Sequence, residues 1–175
     1  MFDTFVALGT IAIQIFIVVM IVAWVMKAPL AAWIGKNASI ILATIFIGST
    51  IGSFIYQYGF GYEPCLLCWY QRIAIIPIAI LALTGNLTKS ALLRRQVLIL
   101  AIIGFVIALF HNYIDIFPSS GVDVCGATSV SCLVRYVYEF GYITIPMMSA
   151  TILLVGILLP LIAARYPQAD VADSQ

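Results

Sequence analysis

The sequence predicts an all-α integral membrane protein built on five spanning helices, and two observations carry that class. The first is composition: 64% of the 175 residues are apolar and 9% are charged, against about 45–50% and about 25% in ordinary soluble domains. With a mean hydropathy of +1.16, the chain lacks the polar residues needed to cover a soluble core. It is also too rich in Leu, Ile, Val and Phe to stay disordered. The second is length. Five apolar stretches reach the roughly 20 residues that cross a bilayer, and none shows the period-2 alternation of a barrel strand. In lipid each can satisfy its own backbone only as a helix. Little chain remains for a soluble domain, and nucleic acid is not an expected partner; the net charge of +1 is uninformative as a sum, because in a membrane protein the placement of charges carries the signal.

The first stretch, Phe5–Met26, follows Asp3 rather than a basic segment and exceeds the apolar run of a signal peptide, so it reads as a retained helix. Gln14 within it reads as an interhelical polar group. The second, Ala38–Tyr58, carries Gly48 and Gly52 in a G-x-x-x-G pattern, which predicts close helix packing inside the bundle. The third is Leu67–Leu83, the fourth Val97–Phe117 and the fifth Tyr142–Ala164. Pro77, Pro146 and Pro160 interrupt these later spans, and Asn112 reads as another interhelical or interfacial group.

Charge placement predicts orientation. Lys27, Lys36, Lys89, Arg94, Arg95 and Arg165, six of the eight basic residues, fall on one side. Asp3, Glu63, Asp115, Asp123 and Glu139, five of the seven acids, fall on the other. The positive-inside rule then puts the amino terminus outside the cytoplasm and the carboxyl terminus inside. Loops 58–66 and 118–141 become extracytoplasmic, and 166–175 a loose cytoplasmic tail. Clusters of Tyr, Phe and Trp at the outer edges fit interfacial anchors.

All four cysteines lie in or beside those two outer loops, in a compartment that permits disulfides. Cys65 and Cys68 form a C-x-x-C where a short loop enters the third helix. The free N–H groups and dipole of a helix N-terminus stabilise a thiolate there. Arg72, four residues after Cys68, sits one turn deeper on the same face and adds positive charge at the membrane boundary. A lipid-soluble electron carrier could meet a water-facing thiolate at that depth. Cys125 and Cys132 close a ring of six intervening residues, a staple of about 2.5 kcal/mol by chain entropy. Leu133, Tyr136, Val137 and Phe140 then recur with helical period, which predicts a short amphipathic helix on the outer surface, with Arg135 and Glu139 four apart on another face. His111, near the outer end of the fourth span, reads on its own as an interfacial histidine with satisfied hydrogen bonds. A structural zinc site or two inert disulfides are the bland competitors, disfavoured by the spacing of the second pair and by the reducible character of a C-x-x-C bridge.

The run Cys-x-Leu-Cys-Trp-Tyr-Gln-Arg-Ile from Cys65 to Ile73, followed by a second outer cysteine pair, resembles the bacterial disulfide bond formation protein B family, DsbB, with its BdbC-type relatives. Gly141-Tyr142-Ile143-Thr144-Ile145-Pro146 looks like the BdbC branch. The resemblance spans about residues 38–165. It implies a four-helix bundle over 37–165, with 1–36 as an added amino-terminal helix and cytoplasmic loop, in a bacterial cytoplasmic (inner) membrane.

It also implies an enzyme, a protein-disulfide:quinone oxidoreductase. Such an enzyme reoxidises a DsbA-like thioredoxin-fold donor outside the cytoplasm and passes electrons to the membrane quinone pool, ubiquinone or menaquinone. In that relay Cys125 would form the mixed disulfide with the partner, Cys132 would exchange with Cys65, and Cys68 would face the quinone. Arg72 would bind the quinone and stabilise its developing charge, with His111 near the same pocket. The added helix has no family counterpart, and the Cys125–Cys132 spacing is shorter than in some members. A vitamin K epoxide reductase-like enzyme is the nearest alternative, but there the C-x-x-C follows the loop pair rather than preceding it. The alternative from another class is a non-enzymatic membrane scaffold, stapled by its cysteines or binding metal.

Overall fold

A computed structural model describes residues 1–117 and 130–166. Cys125, Asp123 and the tail beyond Tyr166 lie outside the described residues. The elements run α1 (Phe2–Val25), α2 (Pro29–Lys36), α3 (Ala38–Phe54), a π-helical turn (Ile55–Gly59), α4 (Leu66–Thr84), α5 (Ala91–Ile116) and α6 (Ile145–Arg165). Five helices are long and apolar enough to cross a membrane, the second of them α3 continued through the π turn to Gly59. The chain is an all-α membrane protein.

The α2 helix was not expected, since its residues lie in a connector that sequence treats only as cytoplasmic loop. Lys27 takes a left-handed backbone (φ 54°) to end α1, and Pro29 opens α2 at its first turn, where a missing N–H costs nothing. The α5 helix begins six residues before the expected Val97, with Ser90 capping it through the Leu93 N–H at 3.1 Å.

The α6 helix is the central post. It packs on α5 most extensively, and also on α2, α3, α1 and α4. Gly104 and Gly156 make these approaches possible. A Cβ on Gly104 would sit 2.8 Å from Ala74 Cβ, and one on Gly156 would sit 2.9 Å from Phe46 Cζ. Gly48 and Gly52 do the opposite of what their motif predicts, because a Cβ at either meets nothing within 4 Å. They face open space beside α1, which packs on α6 and α2 and makes no comparable contact with α3. Helix α1 is fixed to α6 through Gln14, whose amide donates to Thr151 Oγ1 (3.3 Å) and accepts from Tyr142 Oη (2.8 Å). The interhelical role expected of Gln14 is the one observed.

The expected surface helix over Leu133–Phe140 does not form. The segment runs without helical structure into a tight reversal, with Phe140 and Gly141 left-handed (φ 52° and 78°) and an isolated bridge between Glu139 and Ile143. An eight-residue helix is weak in isolation, and here long-range partners claim its side chains individually. Arg135 Nε reaches Asp115 Oδ1 at 2.6 Å instead of pairing with Glu139. Tyr136 stacks on Tyr62 at 4.8 Å, and Val137 is buried. A helical period cannot serve those three anchors together.

Candidate functional site

Local geometry explains why the C-x-x-C sits where it does. Glu63-Pro64 keeps the chain extended, and Cys65 adopts the extended N-cap conformation (φ −70°, ψ 171°) from which α4 starts. Cys65 and Cys68 are free thiols, with their sulfurs 3.3 Å apart. Cys65 is buried and Cys68 partly so.

Two neighbours bracket Cys65. His111, on the last turns of α5 and 3% exposed, places Nε2 3.8 Å from Cys65 Sγ and 3.3 Å from the Cys132 carbonyl. A carbonyl only accepts, so Nε2 carries the proton. The Gln71 amide lies 3.1 Å from Nδ1 and donates to that nitrogen's lone pair in the neutral ring. The ligand atoms of Cys65, His111 and Cys132 all lie within 4.8 Å of one another. Cys132 is in a disulfide, so this cluster offers a metal no second thiolate. What it offers instead is a disulfide sulfur beside a nucleophile.

Hydrogen bonding from the Cys68 side chain is the main influence lowering the Cys65 thiol. Burial opposes it, His111 assists, and the result is a value of about 4. The pair thus shares its proton so that Cys65 holds the anion. A depressed value means that the thiolate is present at neutral pH and is lost only as pH falls through the depressed value. In the reduced protein, thiolate ultraviolet absorbance should persist down to pH 5. His111→Phe removes a donor to a charged acceptor, worth about 1.5–3 kcal/mol, and should raise the midpoint by about one to two pH units. A midpoint near that of free cysteine in the wild type would contradict this arrangement.

Arg72 lies one turn below Cys68 and is 8% exposed, so it does not reach out to the interface as a snorkelling side chain would. It turns toward α3 and the π turn. There it donates through one NH2 group to Gln57 Oε1 and through the other to the Ser53 carbonyl at 2.9 Å. The guanidinium also lies 5.4 Å from the Phe54 ring centroid and 5.2 Å from that of Trp69. The π turn loosens the α-helical ladder, which leaves the Ser53 carbonyl able to accept from outside the helix. All these partners are neutral, and among the described residues no carboxylate pairs with Arg72. A buried cation without a carboxylate partner is costly near a bilayer, and it favours negative charge beside it, on the C-x-x-C sulfurs or on a bound ligand.

Cys65, Cys68, Arg72 and His111 all line one cavity of about 640 Å³, inside the 300–1,000 Å³ range of small-molecule sites. Its walls are mostly apolar and come from α1, α3, α4, α5, α6 and the loop after Cys132. The structure therefore brings together Cys65, Cys68, Arg72, His111 and Cys132, while Cys125 lies outside the described residues. Gln57, Gln71 and the Ser53 carbonyl escaped sequence reasoning. Gln71 had a signal, since it lies inside the C-x-x-C-W-Y-Q-R run, but Gln57 and Ser53 act through a π turn that no periodicity announces.

A bundle of apolar helices that holds a C-x-x-C dithiol against a second, disulfide-bonded cysteine defines a membrane thiol–disulfide protein. The family model described as disulfide bond formation protein DsbB matches residues 35–164, and the chain belongs to that family. The SPbeta prophage-derived disulfide bond formation protein B of Bacillus subtilis is 37% identical over 115 residues, 66% of this chain and 77% of that protein. A probable disulfide formation protein of Oceanobacillus iheyensis is 32% identical over 136 residues, covering 74% of this chain and 92% of its own length. The probable disulfide formation protein C 2 of Bacillus anthracis is 34% identical over 106 residues, 61% and 75% of the two chains. No solved structure matches. The chain is accordingly a disulfide-forming, multi-pass membrane protein.

Proposed function

We propose that this protein is a thiol oxidase that takes two electrons from a reduced, DsbA-like thioredoxin-fold partner outside the cytoplasm and delivers them to a membrane quinone. One observation carries the reading. Cys65 lies beside the disulfide sulfur of Cys132, and both line the same apolar cavity as Cys68 and Arg72. The cavity suits a quinone in its size, its apolar lining and the Arg72 cation, which no carboxylate among the described residues pairs.

The relay balances as follows. A partner thiolate attacks Cys125 of the loop disulfide, forming a mixed disulfide and releasing Cys132 as thiolate. Cys132 attacks Cys65 of an oxidised Cys65–Cys68 bridge, and Cys68 leaves as thiolate. The partner's second thiol then releases Cys125, and Cys125 displaces Cys65 from Cys132. The partner ends oxidised and the C-x-x-C pair holds two electrons, which is the cysteine state seen at Cys65, Cys68 and Cys132. A bound quinone supplies the acceptor, taking two electrons and two protons as the Cys65–Cys68 bridge re-forms. Arg72 holds the negative charge that develops at the acceptor. His111, fixed by Gln71, steadies the Cys65 thiolate against the loop sulfur while lining the quinone cavity.

The test combines purified protein, a reduced thioredoxin-fold partner and a soluble quinone, and follows quinol formation and partner thiols together. One quinol should form per partner disulfide. Partner oxidation without quinol, or no reaction with any quinone, would overturn the proposal. The orientation is tested separately by cysteine labelling in intact cells, with sites near Lys89 and Arg95 protected from an impermeant reagent.

A further inference from the structure

We infer that α1, which lies outside the family-matched residues 35–164, walls the cavity so that the cleft between α1 and α3 receives the lipid tail of the electron acceptor. This rests on the quinone reading above and names the part of the ligand that the added helix serves.

Geometry carries it. The faces that α1 and α3 turn to the cavity repeat at helical spacing: Phe5, Gly9 and Ile13 on one, and Thr44, Gly48 and Gly52 on the other. From Tyr56, near the redox end, to Thr44 is twelve residues, or about 18 Å of helix at 1.5 Å per residue. The cavity thus runs well down the apolar span. Glycines on both walls leave the cleft open, since a Cβ at Gly9, Gly48 or Gly52 meets nothing within 4 Å.

Most of its polar lining residues are disarmed along that length. Thr10, Thr44, Ser49 and Ser53 each donate to a carbonyl of their own helix, at 2.9–3.0 Å. The walls therefore present little that a water molecule or polar ligand could use. The exceptions lie at the redox end. Thr144 caps α6 without using its hydroxyl on that helix, and its Oγ1, 95% buried by residue, has no partner. Tyr56 Oη, 94% buried, lies against the Asp3 carboxylate. The unpartnered Thr144 hydroxyl and the Arg72 cation on the walls of one cavity, with an apolar channel leading away from them, match a ligand with a polar head and a long apolar tail.

Aromatic packing closes the outer mouth. Phe2 of α1 stacks on Phe60 at 5.2 Å and meets Tyr56 edge-on at 5.3 Å, while Tyr62 bridges from Tyr56 to Tyr136. A tailed molecule then enters from the side, between α1 and α3.

The experiment compares a prenylated quinone with its tail-free analogue, using full-length protein in lipid nanodiscs. Gly9→Trp, which projects into the cleft, should raise KM for the prenylated quinone at least tenfold while leaving the tail-free analogue within twofold. Leu8→Trp, on an exposed position outside the cavity lining, should change neither. Reduction of the loop disulfide by the partner serves as the folding check and should match wild type in both. Unchanged KM for both quinones in Gly9→Trp, or an equal rise for both, would overturn the role of α1. Failure of the wild type to reduce any quinone would instead overturn the functional reading beneath it.

Discussion

Cys68→Ser should abolish turnover with a thioredoxin-fold partner and quinone, and it should accumulate a Cys65–Cys132 disulfide that peptide mapping under non-reducing conditions detects. The reason is positional. Cys65 keeps its helix N-terminus and the His111 donor in this variant, and its thiolate still lies within 4.8 Å of Cys132 Sγ. It attacks that sulfur, and the former partner of Cys132 leaves as a thiolate. Without a thiol at position 68 nothing resolves the new bridge toward the cavity, because serine is too poor a nucleophile toward sulfur and cannot form a disulfide. Cys65→Ser should be equally inactive but should trap no such bridge, since Cys68 is not the sulfur grouped with Cys132 and His111. Turnover above one tenth of wild type in Cys68→Ser, or a trapped bridge through Cys68 in Cys65→Ser, would contradict the order of exchange.

That asymmetry was only half legible in the sequence. Spacing alone says that Cys65 caps a helix and that Arg72 follows Cys68 on one face, because helix geometry converts sequence distance directly into position. The five spans are legible for the same reason, since in lipid a long apolar run has one backbone solution. Features that depend on other parts of the chain were misread or missed. Gly48 and Gly52 carry a packing motif, yet α1 docks on α6 instead of filling the groove beside them. The segment after Cys132 has a helical period, but Asp115, Tyr62 and the core each hold one of its residues. The amphipathic signal was real as composition and wrong as conformation. Likewise the hydrogen bonds of His111 were expected to be satisfied at the interface, whereas Gln71 and the Cys132 carbonyl satisfy them in the interior.

Arg72→Leu should lower kcat/KM for quinone by about 10²–10³-fold, the range lost when one preorganised donor to a developing anion is removed. Single-turnover transfer from the partner to the C-x-x-C pair should fall by much less, since Arg72 reaches that step only through its charge near the Cys68 leaving group. The split follows from where the guanidinium sits. It lines the cavity and is held by Gln57 and the Ser53 carbonyl, whereas the group beside the Cys65 sulfur is His111, itself held by Gln71. Leucine keeps most of the apolar stem between Phe54 and Trp69 but removes the charge. Arg72→Lys should recover only part of the loss, because an ammonium cannot reproduce the planar fork that meets Gln57 and Ser53 together. Gln57→Leu supplies the complementary case: the cation remains but loses one of its two fixed partners. Its effect should fall between wild type and Arg72→Leu and appear mainly in KM, as expected for a group that positions the charge rather than supplying it. Equal loss in the partner-transfer and quinone steps of Arg72→Leu would show that the arginine organises the fold of this end of the bundle, and the electrostatic role assigned to it would be wrong.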